Sequence, residues 1–588
     1  MGHGTSALMK AAASVRAGDR LFSWVRKPVV DGILPHTLWG WSNVLLAAIL
    51  SLPVLVIAAH VLFGESVVWQ HLMSTVMPTY LRNSLLLALL VGAGTVTIGS
   101  VCAWLTVMVE FPGRRQFSWL LLLPLALPAY ITAYAYAGML DFAGPVQTAL
   151  RSWFDWQAGD YFFPGIRNLP GAALVLTLVL YPYVYLLARA AFAQQSANAL
   201  NTARSLGLQP MAVFWRVGVP LARPAIVAGL ALVLMETLAD YGTVKYFGVQ
   251  TFTTGIFRTW FGMGDQVAAA QLAAMLLLLI LSLIVLERWS RGRRRFISGD
   301  AGFQDVARYC PGAAGQLMAV LACALPLLLG FTLPALQLGW WTFSQGIEQF
   351  NRDFVQLLWN SFSLAGITAL LAVALAVLLA FGARLNRALL VQSATRVAGM
   401  GYAIPGTVIA VGVIIPLALL DNQLDSFLRA RFDVSSGLLL SGTLVALVFA
   451  YLVRFLSVSL QSLDAGLAKI SPAMDVSAAG LGCRPWQMLR RVHLPLLRGT
   501  MITALLLVFV DVLKELPATL ILRPFNFNTL AVRAYELADD EMLIAAAPSA
   551  LCIALVGLVP VVLLSRSLQR NRQHSKPQPP QLPGINAR

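Results

Sequence analysis

The chain has 588 residues, 58% hydrophobic and 12% charged, with mean hydropathy +0.74 and formal net charge +16. Soluble proteins carry about a quarter charged residues, so the composition excludes a soluble globular protein. Apolar residues cluster in blocks of about 20, enough to cross a hydrocarbon core as helix. Outer-membrane barrels show short alternating segments instead. The 42 Lys and Arg are scattered and build no single basic domain, which argues against nucleic-acid binding.

The pattern predicts an all-α polytopic membrane protein with about twelve transmembrane helices. Residues 1–40 form a basic cytoplasmic segment, in which 9–27 has the pattern of a surface amphipathic helix. No cleavable secretory signal is evident, and 43–64 reads as an uncleaved first span. Spans at 84–108, 118–140, 171–193, 224–244 and 266–287 complete a first six-helix lobe, 41–290. A basic linker, 291–312, follows, with the run Arg288–Arg295 at its start. The second lobe, 313–566, has spans at 314–335, 361–382, 396–420, 436–460, 500–522 and 543–565. Residues 567–588 read as a disordered cytoplasmic tail. Most Lys and Arg fall on one side if the N-terminus is cytoplasmic, and the positive-inside rule fixes that orientation. Lys514 counts as the one base within a span. The five Cys and six His have neither metal nor redox spacing.

The two lobes repeat one another. Asn83-Ser84 and Asn360-Ser361 each lead into an apolar helix, and Ala126-Leu127-Pro128-Ala129 aligns with Ala403-Ile404-Pro405-Gly406, both at a spacing of 277. Gly207 to Pro220 aligns with Gly482 to Pro495 at a spacing of 275. Shared landmarks at nearly one spacing mark a duplication.

The segments 195–222 and 470–497 each hold a helix-forming run, a glycine, a proline three residues later, an amphipathic run, and a proline before the next span. Glycine permits the left-handed backbone that ends a helix, and proline suits the first turn of a new one. The expectation is an exposed helix–turn–helix on the cytoplasmic face. This pattern resembles the coupling (EAA) loop of type I ABC importer permeases. Gly207, Val217 and Pro220 match in the first copy, and Gly482, Val492, Leu494 and Pro495 in the second. Asn201 and Val476 stand where the family has Glu. The resemblance implies that Asn201, Ala203, Gly207, Val217 and Pro220, with Val476, Ala478, Gly482, Val492 and Pro495, engage a separate ATP-binding subunit. None of the six lysines follows a glycine, so a Walker A loop is absent. ATP and Mg would then be used by the partner, and this chain would be a non-catalytic subunit.

The segments Glu236-Thr-Leu-Ala-Asp-Tyr-Gly242 and Asp511-Val-Leu-Lys-Glu-Leu-Pro517 resemble the fused permease of bacterial ferric-iron ABC importers. That resemblance spans roughly residues 40–565. It implies Fe(III) as transported substrate, with neither a cofactor nor a stable metal bound by the chain. It also implies a multi-pass protein of the bacterial inner membrane, among membrane lipids. Two copies of an ABC ATP-binding subunit would sit inside, and a periplasmic or lipid-anchored substrate-binding protein outside. Thiamine, phosphonate, polyamine or sulfate are alternative cargoes, and an ion-coupled secondary transporter is the alternative mechanism.

Ionisable residues inside spans point to function. Glu236 and Asp240, four apart, should share a helical face, and Asp511 and Glu515 repeat them. One reading has these acids line a transient route with Pro128, Tyr130 and Pro405. The other places them near the outer interface, paired with Lys514, Arg523 or Lys245. Pro124, Pro128, Pro405 and Gly406 interrupt the third span of each lobe, as pore-lining or packing kinks. Tyr130, Tyr134 and Tyr136 would line the route or belt the interface. Outer loops 251–260 and 336–345, rich in Phe, Thr and Trp, would dock a binding protein or anchor at the interface.

Overall fold

The computed structural model describes residues 34, 37–64, 66–157, 159–194, 206–291, 308–344 and 346–573. Most of linker 291–312, the 9–27 segment, the end of the C-terminal tail, and Asn201 and Ala203 lie outside the described residues. Eleven helices among them are long and apolar enough to cross a membrane, and one bent pair makes a twelfth. In chain order these are α1 (Leu38–His60), α2 (Met77–Met108), α3 (Arg114–Ala126 with Ala129–Phe154), α4 (Leu169–Ala193), α5 (Pro210–Ala239), α6 (Gln266–Glu287), α7 (Ala313–Ser344), α8 (Arg352–Leu385), α9 (Gly406–Phe432), α10 (Leu444–Leu467), α11 (Pro485–Leu513) and α12 (Leu543–Val562).

Several boundaries differ from expectation for local reasons. The third span breaks by 90° at Leu127-Pro128, because a proline cannot donate the hydrogen bond that would continue the helix. Its counterpart α9 starts at Gly406, not 396. The preceding residues form a separate helix, Leu389–Ala398, and a 3-10 turn, Gly401–Ala403. Both α5 and α11 begin well before the expected 224 and 500. Pro220 and Pro495 do not start a new helix. Each follows a π-turn, at Phe214–Gly218 and Leu489–His493, that carries the helix through without a break.

The first span of each half lies against the other half. Helix α1 packs on α8, α9 and Leu389–Ala398. Asn43 Nδ2 donates to the Leu379 carbonyl at 2.8 Å and to Thr395 Oγ1 at 3.3 Å. Helix α7 runs along the first half, where the Tyr136 hydroxyl donates to the Leu329 carbonyl at 2.6 Å. Tyr136 therefore fastens two helices. Membrane helices gain no hydrophobic drive from one another, so close approach at small residues and interhelical hydrogen bonds hold them together.

Gly330 marks the closest approach of α7. A Cβ there would lie 2.4 Å from the Leu178 carbonyl oxygen and 3.2 Å from Pro124 Cγ, whereas one at Gly339 on the same helix would meet nothing within 4 Å. Gly330→Leu should therefore cost about 1–3 kcal/mol, read as a lower thermal unfolding midpoint in detergent. Gly339→Leu should leave it unchanged.

Candidate functional site

Two glycine turns stand at equivalent places outside the spans. Gly207 has φ +78° and Gly482 φ +81°. Among the described residues a Cβ at either would meet nothing within 4 Å, and the left-handed backbone itself demands glycine. In the second copy, helix Pro472–Gly480 is capped by Ser471 and closed by hydrogen bonds from Gly482 N to Ala479 O and from Cys483 N to Ala478 O. Around each turn apolar side chains face outward: Leu206 and Leu481 at 76% and 85% exposure, Met211 and Trp486 at 67% and 56%. Each pair is spaced by 275. Val476 is exposed beside Leu481, while Ala478 is buried and Val492 half-buried. Repeated apolar exposure at the two turns and at the first residues of the helices that follow them marks a surface built for a partner.

The second turn is moored to the helix ends beneath it. Arg384 Nε meets Asp475 Oδ2 at 2.7 Å, and its two terminal nitrogens donate to the Leu467 and Ile470 carbonyls at 2.7 and 2.9 Å. His493 Nε2 lies 3.0 Å from Asp475 Oδ1, at ion-pair distance but without hydrogen-bond alignment. Burial would raise the Asp475 carboxyl, yet His493 and Arg384 hold it below the usual value. The first copy builds this joint differently. Phe381 packs on His493 at 5.2 Å. At the same repeat positions Trp104 presses on Gly218, where a Cβ would lie 2.6 Å from the indole.

A cavity of about 120 Å³ lies between the halves. Both members of the repeat pairs Glu236/Asp511, Asp240/Glu515, Val179/Arg454, Ala239/Lys514 and Gly242/Pro517 line it, so it sits on the axis relating the two lobes. Pro128 and Tyr130 also line it, and Pro405 does not. All four acids are thus brought together, with Glu236 and Asp511 on the last turns of α5 and α11 and Asp240 and Glu515 beyond the helix ends. Helix α5 ends at Ala239, and Asp240, in extended backbone, accepts from Thr243 Oγ1 at 3.0 Å and Val244 N at 3.1 Å. It thereby satisfies a free backbone N–H in the first turn of the short helix Gly242–Tyr246 from one residue before the N-cap, Tyr241. Glu515 lies beyond the end of α11 and accepts from Ala518 N at 3.1 Å.

The bases belong to the second half alone. Arg454 Nη1 contacts Glu515 at 3.2 Å, and Lys514 Nζ contacts Asp511 at 2.8 Å. Glu236 makes neither hydrogen bond nor ion pair among the described residues. Lys245 and Arg523 pair elsewhere, with Asp539 and Glu536, so of the three expected bases only Lys514 pairs with one of the four acids. Arg454 was missed as a base within a span, although a single arginine in the apolar run 444–467 is visible in the sequence. No three His, Cys, Asp or Glu among the described residues are placed to hold a metal ion.

A ladder of rings leads from the cavity toward the face opposite the glycine turns. Tyr130 packs on Tyr134 at 5.7 Å and Tyr134 on Tyr246 at 4.6 Å, and the Arg167 guanidinium covers Tyr246 at 4.8 Å. Arg167 reaches Glu541 of the other half at 2.5 and 2.9 Å and Asp141 at 2.7 Å. The Tyr241 and Tyr535 hydroxyls meet at 3.3 Å across the same seam. Together these contacts latch the halves shut on that side. Segment 251–260 is no exposed docking loop: it forms helix Phe252–Phe257 and part of a π-turn, largely buried, with Phe257 stacked on Tyr241 at 3.7 Å. Segment 336–345 is mostly the end of α7, from which Trp340 and Phe343 project.

Arg384→Met should leave Asp475 half-buried without its guanidinium and cost about 3 kcal/mol, read as faster proteolysis around 468–482 in folded protein. Because the folded Asp475 carboxyl lies below its ordinary value, the ion pair's stabilisation is complete above the ordinary Asp pKa of about 4 and is lost as pH falls through the folded one. Proteolytic protection should therefore be lost on acidification below about pH 4.

Residues 95–296 match the family described as binding-protein-dependent transport system inner membrane component. An Fe(3+)-transport system permease protein of Haemophilus influenzae is 26% identical over 495 residues, covering 83% of this chain and 90% of that protein. A protein of Salmonella paratyphi A, provisionally named a 2-aminoethylphosphonate transport system permease, is 29% identical over 36% of this chain and 74% of its own length. A molybdenum transport system permease protein of Escherichia coli is 25% identical over 32% of this chain and 83% of its own. Residues 95–296 thus carry the domain of the binding-protein-dependent transport permeases, in a chain whose twelve candidate spans among the described residues support a multi-pass protein of the bacterial inner membrane.

Proposed function

We propose that this chain is the translocation subunit of a ferric-iron importer, with both halves of the pathway in one polypeptide. The observation that carries the cargo assignment is the make-up of the axial cavity: four acidic side chains face two bases, a formal excess of two acids. Such a lining favours a cation over the oxyanions named for the phosphonate and molybdenum relatives, and carboxylates are the hard oxygen donors a trivalent iron prefers. The similarity to the Haemophilus influenzae iron permease over most of both chains supports the same reading.

In this reading the glycine turns face the cytoplasm, together with the N-terminus, and two copies of an ABC ATP-binding subunit dock on them. Gly207 and Gly482 shape the knobs, and Asn201, Ala203, Val217 and Pro220 with Val476, Ala478, Val492 and Pro495 form or support them. The family's glutamate is missing at Asn201 and Val476, and exposed Leu206, Leu481, Met211 and Trp486 supply apolar contact in its place. ATP and Mg stay with that partner, and this chain makes and breaks no covalent bond. A periplasmic or lipid-anchored binding protein delivers Fe(III) at the latched face, and Pro128, Tyr130, Glu236, Asp240, Asp511 and Glu515 line the route, with Pro405 behind it. Paired motor-docking knobs favour this arrangement over an ion-coupled secondary transporter.

The test is to purify the permease with its ATPase and add binding proteins loaded with different ligands. The ferric-loaded protein should stimulate ATP hydrolysis, and molybdate- or phosphonate-loaded ones should not; the reverse pattern refutes the assignment. Replacing Gly207 and Gly482 with tryptophan should abolish stimulation while the protein still inserts and folds, since the folding cost of φ > 0 is only about 1–2 kcal/mol per site and a Cβ at either site meets no atom of the described residues within 4 Å.

A further inference from the structure

The two halves contribute unequally to the axial cavity. Glu236 and Asp240 of the first half have Asp511 and Glu515 as repeat partners, but Arg454 and Lys514 stand opposite Val179 and Ala239. The second half thus neutralises its own carboxylates at 3.2 and 2.8 Å, and the first half does not. Tyr130, 5% exposed, lines the same cavity, and its hydroxyl is buried with no hydrogen-bond partner among the described residues. Arg454 Nε is likewise buried without one. Unpartnered buried polar atoms cost free energy unless a ligand or water completes them.

We propose that Lys514 and Arg454 are tethered counter-cations: they hold the second half's carboxylates, so that a hard, multiply charged metal cation engages only Glu236, Asp240 and the Tyr130 hydroxyl in passing and is not retained. This rests on the reading of the chain as an importer of a metal cation. Conduction needs a site favourable enough to enter and weak enough to leave. Four free carboxylates and a phenol would bind a trivalent ion too tightly to release it. The two bases remove half of that charge without filling the first half's side of the cavity. They are specificity-determining residues, and their partners Asp511 and Glu515 position them.

The test uses terbium(III), a hard trivalent probe whose luminescence is sensitised by nearby aromatic rings, on the permease–ATPase complex in lipid nanodiscs. Lys514→Met should tighten terbium binding about tenfold and slow iron uptake. Lys514→Arg should bind as the wild type does. The double variant Asp511→Asn/Lys514→Met, which restores the charge balance and leaves no partner unpaired, should return binding to the wild-type level, and Glu236→Gln should weaken it. Unchanged terbium affinity in Lys514→Met, or a double variant that binds as tightly as Lys514→Met, would overturn the proposal. Absence of iron uptake by the wild-type complex would count against the cargo assignment instead, because the terbium series reads the charge balance by itself.

Discussion

Holding four carboxylates in an apolar medium is the constraint on which the architecture depends. An isolated ionised carboxylate there costs many kcal/mol, and pairing offsets this only with good geometry and further hydrogen bonds. The chain meets the requirement by stopping α5 and α11 just short of Asp240 and Glu515, so that each side chain accepts a backbone N–H of the short helix that follows. Gly406 is small for the same reason: a Cβ there would come within 2.4 Å of Arg454 Nη1 and of Glu515 Oε1. Helix breaks, a glycine and a buried arginine are thus consequences of one electrostatic demand.

The same two helices join the glycine turns to the cavity. From Pro210 to Ala239 and from Pro485 to Leu513 each is continuous, about 45 Å long at 1.5 Å per residue. At one end stands a glycine turn with exposed apolar side chains, and at the other an acid of the axial cavity. A displacement of the turn therefore reaches the cavity through a single rod and needs no relay of side chains. The exchanged first spans, α1 and α7, tie each half to its partner, so the rods move against a frame that keeps the lobes together. Beyond the cavity, the Arg167–Glu541 latch and the tyrosine ladder close the opposite side. Closure there, with the cavity behind it, is one of the two arrangements that alternating access requires.

Much of this was legible in the sequence. The duplication came from Pro128 and Pro405 and from the glycine-to-proline spacing, because backbone requirements persist where side chains diverge. The left-handed turns at Gly207 and Gly482 followed from the same residues. The ends of α5 and α11 were not legible, since Glu236 to Asp240 has helical spacing and only the tertiary cap shows that the helix stops. The π-turns were hidden because proline usually announces a helix start, and here an extra residue in the turn absorbs it. Arg454 was overlooked inside an apolar average that one charge barely lowers. The latch joins Arg167 to Glu541, 374 residues apart, in segments without repeat partners of like charge, so no local pattern pointed to it.

The central claim is that force applied at the glycine turns changes which side of the axial cavity is open. The most direct measurement places one spin-label pair beside Gly207 and Gly482 and another beside Arg167 and Glu541, in the complex with its ATPase. Distances are then compared without nucleotide and with a trapped ATP analogue. The account predicts that the labels at the turns approach while those at the latch separate. Turns that approach while the latch distance stays fixed would contradict it.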